Sequence, residues 1–78
     1  MLVYTETGSI YHIDAENKIW ARLFASPKSG HVRTGGGEFY EIWPIEIGEP
    51  LKMTGPPLTE GAAFRYIQTS PVVEIDYE

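Results

Sequence analysis

Apolar side chains recur along this chain with a period of two, and nowhere with helical spacing over ten or more residues. Leu2 and Tyr4 alternate with Val3 and Thr5. Glu6-Thr7-Gly8-Ser9 then reads as a tight turn, because Gly8 adopts positive φ without a Cβ clash. From Ser9 to Asp14, Ile10, His12 and Asp14 oppose Tyr11 and Ile13. Asp14-Ala15-Glu16-Asn17 forms a second turn, with Asn17 suited to a left-handed conformation, and Lys18 to Phe24 follows as a third strand. Two turns between three alternating segments predict an antiparallel meander.

Ala25 to Gly37 holds Pro27, Gly30 and the run Gly35-Gly36-Gly37, so it has little to bury and much backbone entropy to lose, and reads as a loop. Alternation resumes from Glu38 to Trp43, with Phe39, Glu41 and Trp43 opposite Tyr40 and Ile42. Pro44 marks an edge or strand end, since it donates no ladder hydrogen bond. Ile45 and Ile47 share a face before Gly48-Glu49-Pro50, and Leu51 to Met53 is a short strand. A loop opens at Gly55-Pro56-Pro57, with one short helical turn at most near Thr59 to Ala63. Phe64 to Thr69 and Val72 to Tyr77 are strands, and Ser70-Pro71 is too short for a hairpin between them. A kink or bulge there turns one long strand around a barrel corner. The expected fold is all-β: one domain over residues 1–78, a small antiparallel barrel or roll of about six to seven short strands. An SH3-like barrel is the first choice.

A chain of 78 residues builds one core, and a thin one. With 42% hydrophobic and 13% aromatic residues it folds rather than staying disordered, but without cysteine it has no disulfide to reinforce it. Self-association or a lasting partner is one way such a domain gains stability. No signal peptide or membrane span is read, so a cytoplasmic setting is expected. The net charge is −5, with four cations against three carboxylates in residues 1–37 and two against eight in residues 38–78. This acidic balance argues against strong phosphate-backbone binding, which needs several basic contacts.

The sharpest enzymatic pattern is His12-x-Asp14 with His31 further on, the residue types of a two-histidine, one-carboxylate metal site. The plainer alternative makes His12 and Asp14 surface neighbours on one strand. Gly35-Gly36-Gly37 lacks the Lys-Ser/Thr and helix of a phosphate loop, since Glu38-Phe39-Tyr40 follows, and no Gly-x-Ser-x-Gly or cysteine nucleophile occurs. Glu74, Asp76 and Glu78 fall on one side of the last strand, as a solvated row that blunts an exposed edge. No enzyme activity and no cofactor is expected.

The third strand carries the candidate site. Strict alternation places Lys18, Trp20, Arg22 and Phe24 on one face and Ile19, Ala21 and Leu23 on the other. If the aliphatic side faces the core, the outer face interleaves two aromatics with two cations. That arrangement suits a protein interface, with His31 and Arg33 at its rim. It also suits stacking of single-stranded nucleic acid, helped by Lys28 and Arg33. The competing arrangement buries Trp20 and Phe24 and drapes the stems of Lys18 and Arg22 over them.

Five phrases occur in order: Gly8-Ser9-Ile10-Tyr11-His12-Ile13-Asp14, Trp20-x-Arg22, Arg33-Thr34-Gly35-Gly36-Gly37, Ile47-Gly48-Glu49-Pro50-Leu51 and Thr69-Ser70-Pro71-Val72-Val73-Glu74-Ile75. As a set they resemble small uncharacterised proteins encoded by bacteriophages of actinobacteria. The resemblance spans most of the chain and carries no chemical motif. It implies a protein acting in the cytoplasm of an infected bacterium by binding one host component. With no catalytic motif, a thin core and the aromatic-cationic face of the third strand, the expected function is a non-enzymatic interaction module that binds a host protein or assembles with itself.

Overall fold

A computed structural model describes residues 1–24 and 35–77. Seven strands follow one another: β1 (Leu2–Thr5), β2 (Ile10–Asp14), β3 (Ile19–Phe24), β4 (Gly35–Glu38), β5 (Glu41–Ile42), β6 (Pro50–Gly55) and β7 (Arg65–Asp76). All the strand pairs are antiparallel, in the order β4-β3-β2-β1-β7-β6-β5, and no helix occurs among the described residues. The sheet curls into a small half-barrel, as its period-two pattern predicts. The segment near Thr59 to Ala63 contributes a turn, closed by the Ala62 amide donating to the Thr59 carbonyl at 3.2 Å.

The chain changes partner at two places, and these changes make the curl. β7 pairs with β6 from Arg65 to Pro71 and with β1 from Val72 to Asp76. An extra β7 residue sits on each side of the switch: Val73 is unmatched opposite Tyr4–Thr5, and three steps of β7 face two of β6 between Gln68 and Pro71. There the Thr69 hydroxyl accepts the Leu51 amide at 3.1 Å, standing in for a ladder carbonyl. Bulges of this kind bend the strand and increase its twist, which is the corner expected at Ser70-Pro71. The second switch lies between β4 and β5, at opposite ends of the strand order but consecutive in the chain. The Phe39 amide donates to the Lys18 carbonyl at 2.9 Å, and the next amide, of Tyr40, donates to the Thr54 carbonyl at 2.7 Å. One two-residue corner thus ties both ends of the curled sheet together.

Gly35-Gly36-Gly37, expected in a loop, instead forms β4 on β3. A Cβ on Gly36 would stand 2.6 Å from the Trp20 carbonyl oxygen, so two backbones approach here to a distance only glycine allows. Residues 25–34, also expected in the loop, lie outside the described residues.

The curl encloses Val3, Tyr11, Ile13 and Trp20 from one half and Leu51, Met53 and Ile67 from the other, with Phe39 and Val72 at the corners. Among small turns, Gly8 takes φ 97° as expected. In the β2–β3 turn the left-handed residue is Lys18, at φ 54°, and not Asn17. Asn17 is held by Asp14, whose Oδ1 accepts its amide at 3.1 Å and whose Oδ2 accepts its Nδ2 at 2.9 Å.

The Asn17 side chain, then its backbone N–H, holds the Asp14 carboxyl below the usual aspartate range, and the charge of His12 adds to this. A depressed folded-state value means that the turn is stabilised above the unfolded pKa of Asp14. That stabilisation is lost as pH falls through the folded value. In Asn17→Ala the Asp14 titration is expected to move up toward an ordinary aspartate, as read by carboxyl-carbon NMR. An unmoved midpoint would assign the shift to the backbone alone.

Candidate functional site

The register of β3 decides which of its side chains can meet a partner. Tyr11 pairs with Arg22, but the adjoining pair is Ile10 with Phe24, so Leu23 is an extra residue in a bulge. One inserted residue reverses the alternation beyond it. Trp20 and Arg22 therefore point into the curl, 2% and 9% exposed, whereas Phe24 is directed outward beside Ile10 and is 51% exposed. Strict alternation places all three on one face with Lys18, an outer face if the aliphatic side is the core side and a buried one in the competing arrangement. The four do not share a face: Trp20 and Arg22 are interior residues, as the competing arrangement has it for Trp20, Phe24 is outside, and Lys18 belongs to the preceding turn, so the alternative of a base-stacking row of these four has no surface to stand on. His31, Arg33 and Lys28 lie outside the described residues.

The aliphatic side of β3 is the outer one. Ile19 is 47% exposed and Leu23 53%. Register places Ala21 next to His12, His12 next to Leu2, and Ile10 between Phe24 and Tyr4, so these residues continue the same outer face across β2 and β1. Apart from His12, its centre is apolar. Its margin is acidic: Asp14 and Glu38 flank Ile19, and Glu74 and Asp76 flank Tyr4 and Leu2. An antiparallel sheet with one solvated face normally alternates apolar with polar. β1 and β3 depart from that rule by being largely apolar on both sides.

His12 and Asp14 share this face, as their spacing requires. Both oxygens of Asp14 accept hydrogen bonds from Asn17, and the third member of the expected metal set, His31, is outside the described residues. Among the described residues no group of three His, Cys, Asp or Glu is placed to hold a metal ion.

Inside the curl, Arg22 donates from Nε to the Tyr11 hydroxyl at 3.3 Å, and its guanidinium carbon stands 5.4 Å from the Tyr11 ring centre and 5.7 Å from that of Trp20. Arg65 approaches the same indole to 5.6 Å. These are cation–π distances. A hollow of about 140 Å³ is lined by Tyr11, Arg22, Arg65, Gln68 and their neighbours. Sequence alternation marks Arg65 only as a residue on the same side as Ile67. Its convergence with Arg22 depends on the two halves of the barrel closing over Trp20.

A further surface feature escaped the alternation. Trp43 and Tyr66 meet edge to face at 6.0 Å, both well exposed, and Trp43 borders a shallow hollow of about 220 Å³ with Glu46, Glu49 and Lys52. The two rings come from segments 23 residues apart that are joined only through β6.

No helix of the described residues is long and apolar enough to cross a membrane. No family model matches the chain, and no curated protein or solved structure matches it either.

Proposed function

We propose that this chain is a non-enzymatic interaction module that docks another protein through the outer face of β1, β2 and β3. The observation that supports the reading is the double-sided apolar character of β3. Trp20 fills the core from one side, while Ile19, Leu23 and Phe24 stand about half exposed on the other. Exposed aromatic and aliphatic side chains gathered on one sheet face mark an interaction surface more often than scattered ones do. The acidic margin of Asp14, Glu38, Glu74 and Asp76 sets the chemistry of the occupant. Two copies meeting through this face would bring carboxylates against carboxylates, so the face suits a different protein with an apolar centre and a basic rim. In the phage setting suggested by the sequence, that partner is a host protein.

The double variant Ile19→Ser/Phe24→Ser removes the apolar centre without touching the core. Its melting temperature is expected to stay near that of the parent, because exposed substitutions usually change stability by no more than about 0.5 kcal/mol each. Partner affinity is expected to fall at least about thirtyfold, the scale of a lost interface hot spot. Affinity capture from bacterial extract with nuclease present, followed by titration of the captured protein, checks this. Equal capture by parent and variant would reject the face. A concentration-dependent dimer abolished by the variant would replace the foreign partner with a second copy.

A further inference from the structure

Arg22 is the least ordinary residue of the interior. Among the described residues it is one of three buried polar or charged side chains and the only charged one, and it is 9% exposed. Buried charges are normally paired with an opposite charge. Among the described residues no carboxylate pairs with Arg22. Residues 25–34, which follow its strand, contain neither Asp nor Glu. The sole side-chain acceptor shown for it is neutral: the Tyr11 hydroxyl takes Nε–H and leaves the terminal amino groups for other partners.

A second guanidinium converges on the same place. Arg65 and Arg22 both lean on the Trp20 ring, and both line the hollow of about 140 Å³. Among the described residues no Asp or Glu lines it. Glu38 borders a neighbouring hollow that Arg65 also reaches. The remaining polar groups can donate. Tyr11, having accepted from Arg22, keeps its own hydroxyl hydrogen, and Gln68, whose Oε1 accepts from the Tyr66 hydroxyl at 3.0 Å, keeps its amide N–H groups. Thr69 contributes no donor, because its hydroxyl already donates to the Ser70 carbonyl at 2.7 Å.

From this set of donors without a counter-charge we infer that the hollow between Arg22 and Arg65 is a binding site for a compact dianionic oxyanion of the phosphate class. Two guanidiniums bring two positive charges, which a tetrahedral dianion balances and a single carboxylate leaves half uncompensated. A hollow of this size admits one such group and not a nucleotide base with it. The site lies on the opposite side of β3 from the docking face and is independent of the proposed function.

The test is a titration of the full chain with sodium phosphate and sodium sulfate, with acetate as the carboxylate arm and chloride at matched ionic strength as the control. It is followed by NMR at the Arg22 Nε–H and the Trp20 indole N–H. Saturable shifts with phosphate and sulfate, at least tenfold weaker with acetate, are expected, together with a rise in melting temperature. In Arg65→Gln the same shifts should need at least tenfold more anion. Arg65 is only partly buried, so this variant is expected to keep its fold, and an unchanged amide spectrum away from the site checks that it does. Shifts that chloride reproduces would reduce the effect to screening and overturn the site. Acetate binding as tightly as phosphate would overturn the dianion assignment, and an unaffected Arg65→Gln would overturn the two-arginine geometry.

Discussion

Trp20→Ala is expected to remove a large share of this domain's stability. The indole is buried, 6.3 Å from the Tyr11 ring, and two guanidiniums pack against it. Truncating a fully buried aromatic costs about 3–5 kcal/mol through lost transfer energy and the cavity left behind. At roughly 0.05–0.15 kcal/mol per residue, the whole stability of a domain this size is about 4–12 kcal/mol. The loss is therefore a large share of the total. It takes away more than packing, because Arg22 and Arg65 would keep their charges and lose the ring they rest on. Urea unfolding followed by circular dichroism should show the midpoint falling by about half or more. A midpoint within a few tenths molar of the parent would place Trp20 outside the core. Functional loss in this variant would report unfolding and not a contact with a partner, which is why the docking face is tested at Ile19 and Phe24.

The second large effect comes from one methyl group. In Gly36→Ala the new Cβ would meet the Trp20 carbonyl oxygen at 2.6 Å and the Ala21 Cα at 3.1 Å, both backbone atoms of the paired strand. Backbone yields only by moving the strand, so β3 and β4 must separate or shear. Overpacking of this kind costs about 1–3 kcal/mol. The neighbouring Gly35 has nothing within 4 Å of its Cβ position, so Gly35→Ala is the matched control, expected within about 0.5 kcal/mol of the parent. Hydrogen exchange locates the damage. The Phe39 amide, bonded to the Lys18 carbonyl beyond the last β4 residue, should lose protection in Gly36→Ala and keep it in Gly35→Ala. Equal protection in the two would mean that the close approach is relieved without cost. A Cβ on Gly55 would stand 2.7 Å from the Glu38 carbonyl oxygen, so glycine permits close backbone approach on both sides of β4, at Gly36 against β3 and at Gly55 of β6.

These two residues also mark where sequence patterning stops being informative. The β1–β2–β3 meander, the absence of helix among the described residues, the turn at Gly8 and the corner at Ser70-Pro71 were all legible, because each depends on neighbours within a few positions. Local steric preference and the period of two settle them. The glycine run was misread for a related reason. Locally it has nothing to bury, and its value as a strand lies in an approach to Trp20 and Ala21, which lie some fifteen residues earlier in the chain.

Register separates Phe24 from Trp20 and Arg22, which strict alternation keeps together. Alternation counts residues, and a bulge adds one without leaving a mark in composition. Leu23 is such a residue, so Phe24 lies on the outer face and Trp20 and Arg22 on the inner one. The same happens at the second corner, where Phe39 and Ile42 face the core although strict alternation separates them. Sequence by itself determined that this chain forms short antiparallel strands with tight turns, since those follow from side-chain period and backbone sterics. Only the tertiary structure decided which face of each strand is inside, and which distant residues meet, such as Arg22 with Arg65 and Trp43 with Tyr66. The physical reason is that burial belongs to the curled half-barrel as a whole. A strand with apolar residues on both faces has no local preference between them, so the choice is made by bulges and corners that exist only once the two halves pack.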